Sequence, residues 1–165
     1  MLKMAMSLGH RPDLSTLSAR ELFRSKNNAS GVGIGSKGPL GRLLIRGEPG
    51  HDIIQELYPL EHEPVIDKPG KGAFSHTDFD LLLRNRRIQN LVLAGVTTDV
   101  CVSTTMREAN DRGYDCLLVK DATAATDEIL HAATCEGVRM EGGVFGATAS
   151  VEDVLEALRE EMPID

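Results

Sequence analysis

The sequence predicts an α/β domain, a parallel sheet with helices on both faces, and three observations predict it. Apolar runs of strand length alternate with segments of helical period, the helical segments carry recognisable start and stop signals, and strand following helix in this order requires crossover connections. Beyond the carboxyl ends of such strands is where an α/β sheet places its sites.

The elements follow in chain order. A glycine-rich stretch, "RSKNNASGVGIGSKGPLG" at 24–41, reads as loop. Within it Gly33-x-Gly35-x-x-Gly38 has the spacing of a dinucleotide fingerprint. A polar segment precedes it and Pro39 follows, so the strand-turn-helix context of a phosphate cradle is absent and a turn-forming loop is expected. "RLLIR" (42–46) and "PVID" (64–67) read as strands. "TDFDLLLRNRR" (77–87) reads as a helix capped by Thr77 with Asp80 in the capping-box position. "NLVLAG" (90–95) is a near-continuous apolar run, followed by a helix over 100–112 that stops at Gly113. "DCLLVKD" (115–121) repeats the pattern ahead of a helix over 127–136. The last helix has Ser150 as N-cap, Asp153 closing a capping box, and an apolar stripe of Val151, Val154, Leu155 and Leu158. Lys68, Cys101 and Asp121 all fall at expected strand ends.

A chain of 165 residues fits one domain, 1–165, with enough length to bury a core without disulfide staples. Apolar residues at 41% and charged residues at 26% are ordinary globular usage. A net charge of −7 and only 4% aromatics argue against a nucleic-acid partner. The three cysteines, Cys101, Cys116 and Cys135, form no C-x-x-C pair, so neither a disulfide framework nor a zinc site is suggested, and a reducing, cytoplasmic setting is expected. "MLKMAMSLGHRPD" is too short in apolar residues for a signal peptide, and no run approaches a membrane span. Asn28-Ala29-Ser30 is a sequon without a secretory route.

Cys101 is the residue whose position asks for chemistry. With Thr98 or Asp99 as helix cap it sits in a first turn, where unpaired N–H groups and the helix dipole favour an anion. Such positions bring a thiol from about 8.5 into a range of roughly 3.5 to 7.5. The same N–H groups suit the oxyanion of a tetrahedral intermediate. The competing reading is a packed, unreactive cysteine. Cys116, inside an apolar strand, and Cys135, inside a helix, read as core residues.

"LVLAGVTTDVCVSTTMREANDRGYDCLLVKDATAATD", with "VIDKPGKGAFSHTDFD" and "EGGVFGA", resembles the isochorismatase-like cysteine hydrolases, and among them the amidohydrolases related to biuret hydrolase. The resemblance runs from "GHRPDLS" to the last helix. It implies a three-layer Rossmann-like fold and hydrolysis of a small amide or ureido C–N bond without metal or cofactor. It implies Cys101 as nucleophile and Lys68, six residues before Phe74, as the catalytic lysine, with Lys71 the nearby competitor. It also implies a cis peptide at Val96–Thr97 that aims the Thr97 N–H at the reacting oxygen, and Phe74 and Glu141 as substrate contacts. An ammonium at Lys68 would stabilise a thiolate, whereas the lysine read without the resemblance is a solvated surface group. Relatives carry an amide where Glu141 stands, so a substrate offering N–H donors or positive charge is expected. A homo-oligomer is the implied assembly.

One departure is large. The family's aspartate ends an N-terminal strand in a pattern like "hhhhDhQ.DF", which nothing here matches, and "MLKMAMSL" (1–8) stands where the second strand belongs. The first strand, first helix and aspartate are therefore expected to lack counterparts, with His10, Asp13, Asp67 and His76 as substitute bases. Three functions stay open: a cysteine amidohydrolase, a non-catalytic homologue acting as a binding or assembly subunit, and a redox-sensing thiol protein.

Overall fold

The computed structural model describes residues 5–8, as backbone, and 34–161. His10, Asp13, the sequon at 28–30 and Gly33 lie outside the described residues. The chain divides into two compact units: Met1–Gly70 with Ser75–Thr77, and Lys71–Phe74 with Asp78–Asp165.

In the first unit β1 (Ala5–Leu8) runs parallel to β4 (Val65–Lys68), with Ala5 opposite Val65 and Leu8 opposite Lys68. Alternation along β4 buries Ile66 and Lys68 and exposes Val65 and Asp67. Between these strands lie β2 (Lys37–Gly38) and β3 (Gly41–Arg42), an antiparallel pair, and a short 3₁₀ turn at Gln55–Leu57. The strand expected over 42–46 does not form. Leu44 takes a left-handed φ of 60°, and the Glu48 N–H closes a turn onto the Ile45 carbonyl at 3.1 Å. The Arg42 guanidinium pairs with Glu48 across that turn. Ile45 is fully buried there as a turn residue. The described part of the glycine-rich loop is hairpin: the Gly35 N–H donates to the Leu43 carbonyl at 2.9 Å, and a Cβ on Gly38 would run into the Leu43 side chain.

The second unit is a parallel three-stranded sheet in the order β5 (Asn90–Val96), β6 (Asp115–Ala124), β7 (Ala147–Ala149). Its helices are α1 (Phe79–Asn85), α2 (Ser103–Asn110), α3 (Glu128–Gly143) and α4 (Val151–Glu161). Leu91 pairs with Cys116 and Leu93 with Leu118; the register then slips, so that Gly95 pairs with Thr123. On β6 Cys116 and Leu118 face one way and Val119 the other, and all are buried. The Cys116 face meets α2, where the thiol lies 3.9 Å from the Met106 carbonyl. On the opposite alternation Asp121 accepts the first N–H of α4, Val151, at 2.8 Å. Asp121 is thus a helix-capping residue inside β6, three positions short of the strand's end rather than at it. β5 departs from the two-sided burial its apolar run suggests. Leu91 and Leu93 are buried, but Val92 is 51% and Val96 71% exposed, and β5 is an edge of this sheet.

Local signals fared unevenly. The structure starts α1 after Asp78, whose side chain makes no cap bond, one residue beyond the expected cap at Thr77. Asp80 accepts from Arg84 Nε at 2.9 Å and from the Tyr114 hydroxyl at 2.7 Å. Those two bonds hold its carboxyl below the usual carboxylate range. On α3 Asp127 is the N-cap, accepting from Ile129 at 2.7 Å. The helix outruns the expected end at 136, then breaks where Glu141 takes φ 54° and Gly142 φ 81°. The last helix has its capping box: the Ser150 N–H donates to Asp153 Oδ2 at 2.8 Å, and the Asp153 N–H returns to Ser150 Oγ at 3.1 Å. Its apolar stripe is only partly covered, with Val151 and Leu155 exposed. Ser150→Ala is expected to cost about 1 kcal/mol, read as a lowered urea midpoint at unchanged slope.

Candidate active site

The segment leaving β5 carries the reactive groups. The Val96–Thr97 peptide bond is cis, Thr97 is extended (φ −97°, ψ 146°), and Thr98–Val102 forms a π-helical turn that runs into α2. The Val102 N–H reaches the Thr97 carbonyl five residues back at 3.1 Å, and the Val100 N–H reaches the same carbonyl at 3.2 Å. Cys101 is half-buried in this turn.

Neither Thr98 nor Asp99 caps the helix. The residue at the cap is Thr97, which makes no side-chain cap bond, and the regular α-helix begins only at Ser103. In the wider turn the Thr98 side chain leaves the helix end altogether. Thr98 is 0% exposed, and its Oγ1 lies 2.9 Å from Nδ1 of His131 on α3. Asp99 Oδ1 is buried without a hydrogen-bond partner among the described residues, and its backbone carbonyl accepts from Ser103 Oγ at 3.0 Å.

A second hydroxyl ties the turn to the segment Lys71–Phe74. Thr105 Oγ1 donates to the Cys101 carbonyl at 2.8 Å and accepts the Ala73 N–H at 3.2 Å. One turn further along α2, Glu108 Oε2 accepts the Phe74 N–H at 3.1 Å. The Phe74 ring lies in the core, 4.8 Å from Phe79 and 5.8 Å from Tyr114 between centroids, with the Arg112 guanidinium 4.7 Å from its centre. Glu141 is exposed at the left-handed break of α3.

In the first unit Lys68 is 5% exposed and donates from Nζ to the Gly70 carbonyl at 3.3 Å, so it is no solvated surface lysine. Asp67 faces the opposite side of β4, where Arg46 Nε holds it at 2.9 Å. His76 has a left-handed φ of 58°, is exposed, and places Nδ1 2.9 Å from Ser75 Oγ. The structure therefore sets Val96, Thr97 and Cys101 on one continuous segment of the second unit and Lys68 at the end of β4 in the first.

The other two thiols differ. Cys116 is buried beside the Met106 and Tyr114 carbonyls, and desolvation pushes its pKa up to about 11. Cys135 is half-buried, raised by burial, and 3.8 Å from His131 Nε2. His131, Thr105 and Glu108 were not singled out by sequence reasoning. Their contacts with Ala73, Phe74 and Thr98 span 32 to 34 residues, and no local pattern announces them.

The sequence pattern of the isochorismatase domain matches residues 16–153. The chain belongs to the isochorismatase family. Within it the chain is similar to ureidoacrylate amidohydrolase RutB of Azorhizobium caulinodans, 33% identical over 124 residues, or 74% of this chain and 53% of the relative. It is 38% identical over 84 residues to the protein of the same name from Serratia proteamaculans, covering 51% of this chain and 34% of that one. The chain thus spans about half or less of the length of these curated relatives. An isochorismatase-like hydrolase from Alkaliphilus metalliredigens superposes with a TM-score of 0.70 at 30% identity, over 93% of this chain and 71% of the other. N-carbamoylsarcosine amidase from Thermoplasma acidophilum gives 0.64 at 26%, over 90% and 70%. A cysteine hydrolase from Pseudomonas syringae pv. phaseolicola gives 0.80 at 22%, over 98% and 73%, a likeness of fold. The α/β fold and the family resemblance read from the motifs are both borne out.

Proposed function

We propose that this chain hydrolyses a small amide or ureido C–N bond through a thioester on Cys101. What carries the reading is Cys101 itself, held in the turn that follows the carboxyl end of β5 in a chain whose relatives include ureidoacrylate amidohydrolases. The Cys101 thiolate attacks the carbonyl carbon, and the Thr97 and Cys101 N–H groups take the oxyanion. The C–N bond breaks as the amine gains a proton and departs. Water then adds to the thioester, the C–S bond breaks, and the acid leaves with the thiol restored. The chemistry needs no metal or cofactor. For Lys68 it is the family resemblance that supports the role of stabilising thiolate and oxyanion with its ammonium. Lys68→Ala then raises the pH at which Cys101 labels.

Asp67 is engaged by Arg46 and faces away from the Lys68 side of its strand, which leaves His76 as the described substitute and His10 and Asp13 beyond the described residues. General acid–base help from whichever group carries the proton is typically worth about 10²–10⁴-fold. Phe74, a substrate contact by the family resemblance, has its ring buried in the core, and exposed Glu141 is an acceptor for N–H groups. Glu141→Gln is expected to shift preference toward biuret-like diamides, measured as relative kcat/KM on a substrate panel; an unchanged profile removes Glu141 from the pocket.

Exposed apolar side chains, Val96 and Ile129 (77% exposed) among them, support action as a homo-oligomer, and light scattering that reports a monomer counts against it. Among the described residues no helix is long and apolar enough to cross a membrane, and the described cysteines are all free, which supports a cytoplasmic setting. The deciding experiment pairs ammonia release from a panel of small amides with iodoacetamide labelling of Cys101. Labelling with turnover supports the hydrolase; labelling without it supports a binding or assembly subunit.

A further inference from the structure

We propose that His131 is a positioning residue for the nucleophile turn, acting through Thr98; the inference rests on the reading of Cys101 as nucleophile. Two of the turn's attachments are local: Ser103 and Thr105, on the helix it runs into, bond the Asp99 and Cys101 carbonyls. His131 is different. It belongs to α3, 33 residues away, and its Nδ1 lies 2.9 Å from the Thr98 hydroxyl. Thr98 precedes Cys101 by three residues and has no exposure to water. A buried hydroxyl keeps to the partner that satisfies it, so the His131 ring fixes where the first residue of the turn can sit.

The histidine is itself held. Asp127 caps α3 through the Ile129 and Leu130 N–H groups, and its carbonyl accepts the His131 N–H at 3.0 Å. The far side of the ring, Nε2, lies 3.8 Å from Cys135 Sγ one turn on. Hydroxyl and thiol each donate or accept, so either neutral tautomer is accommodated at both ends. The ring contacts the frame of the turn, so its effect falls on the placement of Cys101 rather than on bond making. Misplacement of a reacting atom by about 1 Å can cost about 10²-fold in rate.

The test compares His131→Leu, His131→Asn and Thr98→Val in the full chain by two readouts. One is the second-order rate of Cys101 carboxymethylation by iodoacetamide, read at that peptide by mass spectrometry; the other is kcat and KM on the best amide of the panel. His131→Leu and Thr98→Val are expected to lower the labelling rate and kcat by about 10- to 100-fold while KM stays within about twofold. His131→Asn places an amide group near the Nδ1 position and should recover most of the loss. The double variant should be no slower than either single one, because both remove the same bond. A His131→Leu chain that is folded by circular dichroism and labels at the wild-type rate overturns the proposal. So does an Asn variant as slow as Leu, an effect confined to KM, or a wild-type Cys101 that labels no faster than in the urea-unfolded chain. If no amide is turned over, the hydrolase reading fails while the labelling series still decides the role of His131.

Discussion

The Cys101→Ala chain is expected to release no ammonia from any amide that the parent hydrolyses, a loss of at least about 10³-fold, because a covalent route has no substitute for its nucleophile. Cys101→Ser should be as poor, since an alcohol at its ordinary pKa is a far weaker nucleophile than a thiol at neutral pH. Iodoacetamide gives the matching result at the level of the thiols. Label at residue 101 disappears in both variants, and Cys116 stays unlabelled in the native chain at pH 8. The thiolate is the reactive form, and Cys116, buried and titrating at about 11, holds almost none of it there. Its thiolate fraction rises only as pH climbs toward that value. Ammonia release that survives in Cys101→Ala would place the chemistry elsewhere.

The second large effect is structural, with Gly146→Ala expected to destabilise the fold by about 3 kcal/mol or more. Gly146 leads from the broken end of α3 into β7 with φ 128°, a region closed to residues with a Cβ. An added methyl there would collide with the Cys116 carbonyl oxygen, and Met106 Cε would stand 3.2 Å away. The oxygen belongs to the backbone of β6 and cannot rotate aside, so β7 would have to leave its partner. Gly142→Ala provides the comparison. It too has a positive φ, 81°, but nothing within 4 Å of its Cβ position, so only the backbone cost of about 1–2 kcal/mol applies. Urea unfolding followed by circular dichroism separates the two, and equal midpoints would show that the Cys116 contact gives way easily.

The contrast between these predictions marks where sequence reading succeeds. The Ser150–Asp153 pair acts on N–H groups three residues away, so its role is written in the local pattern. Strands β5 and β6 are equally plain as apolar runs between turn signals. Asp80 had similar local credentials at a helix start, yet its carboxylate also takes bonds from Arg84 and from a tyrosine 34 residues away, which no local pattern records. The run 42–46 reads as strand by composition alone; Leu44 turns left-handed because the following glycines, Gly47 and Gly50, fold the chain back on itself. For the candidate site, residue types and spacing pointed to Cys101. The cis bond at Val96–Thr97 was implied by resemblance, since no residue preference selects it. The π-helical turn was hidden because the partner that draws Thr98 inward sits on α3, and a helix-start pattern carries no record of a histidine that far away.

The edge of β5 carries a practical consequence of another kind. Residues 90–96, "NLVLAGV", hold no charge and no proline, two of the devices by which natural sheets discourage a foreign strand from pairing. Val92 and Val96 add an apolar flank to that strand. Within the second unit such a segment is the one that offers pairing to like segments from other molecules. A gatekeeper lysine at Val92, on the exposed flank and away from the Leu91 and Leu93 contacts, is the change that would keep concentrated stocks clear without touching the turn that bears Cys101.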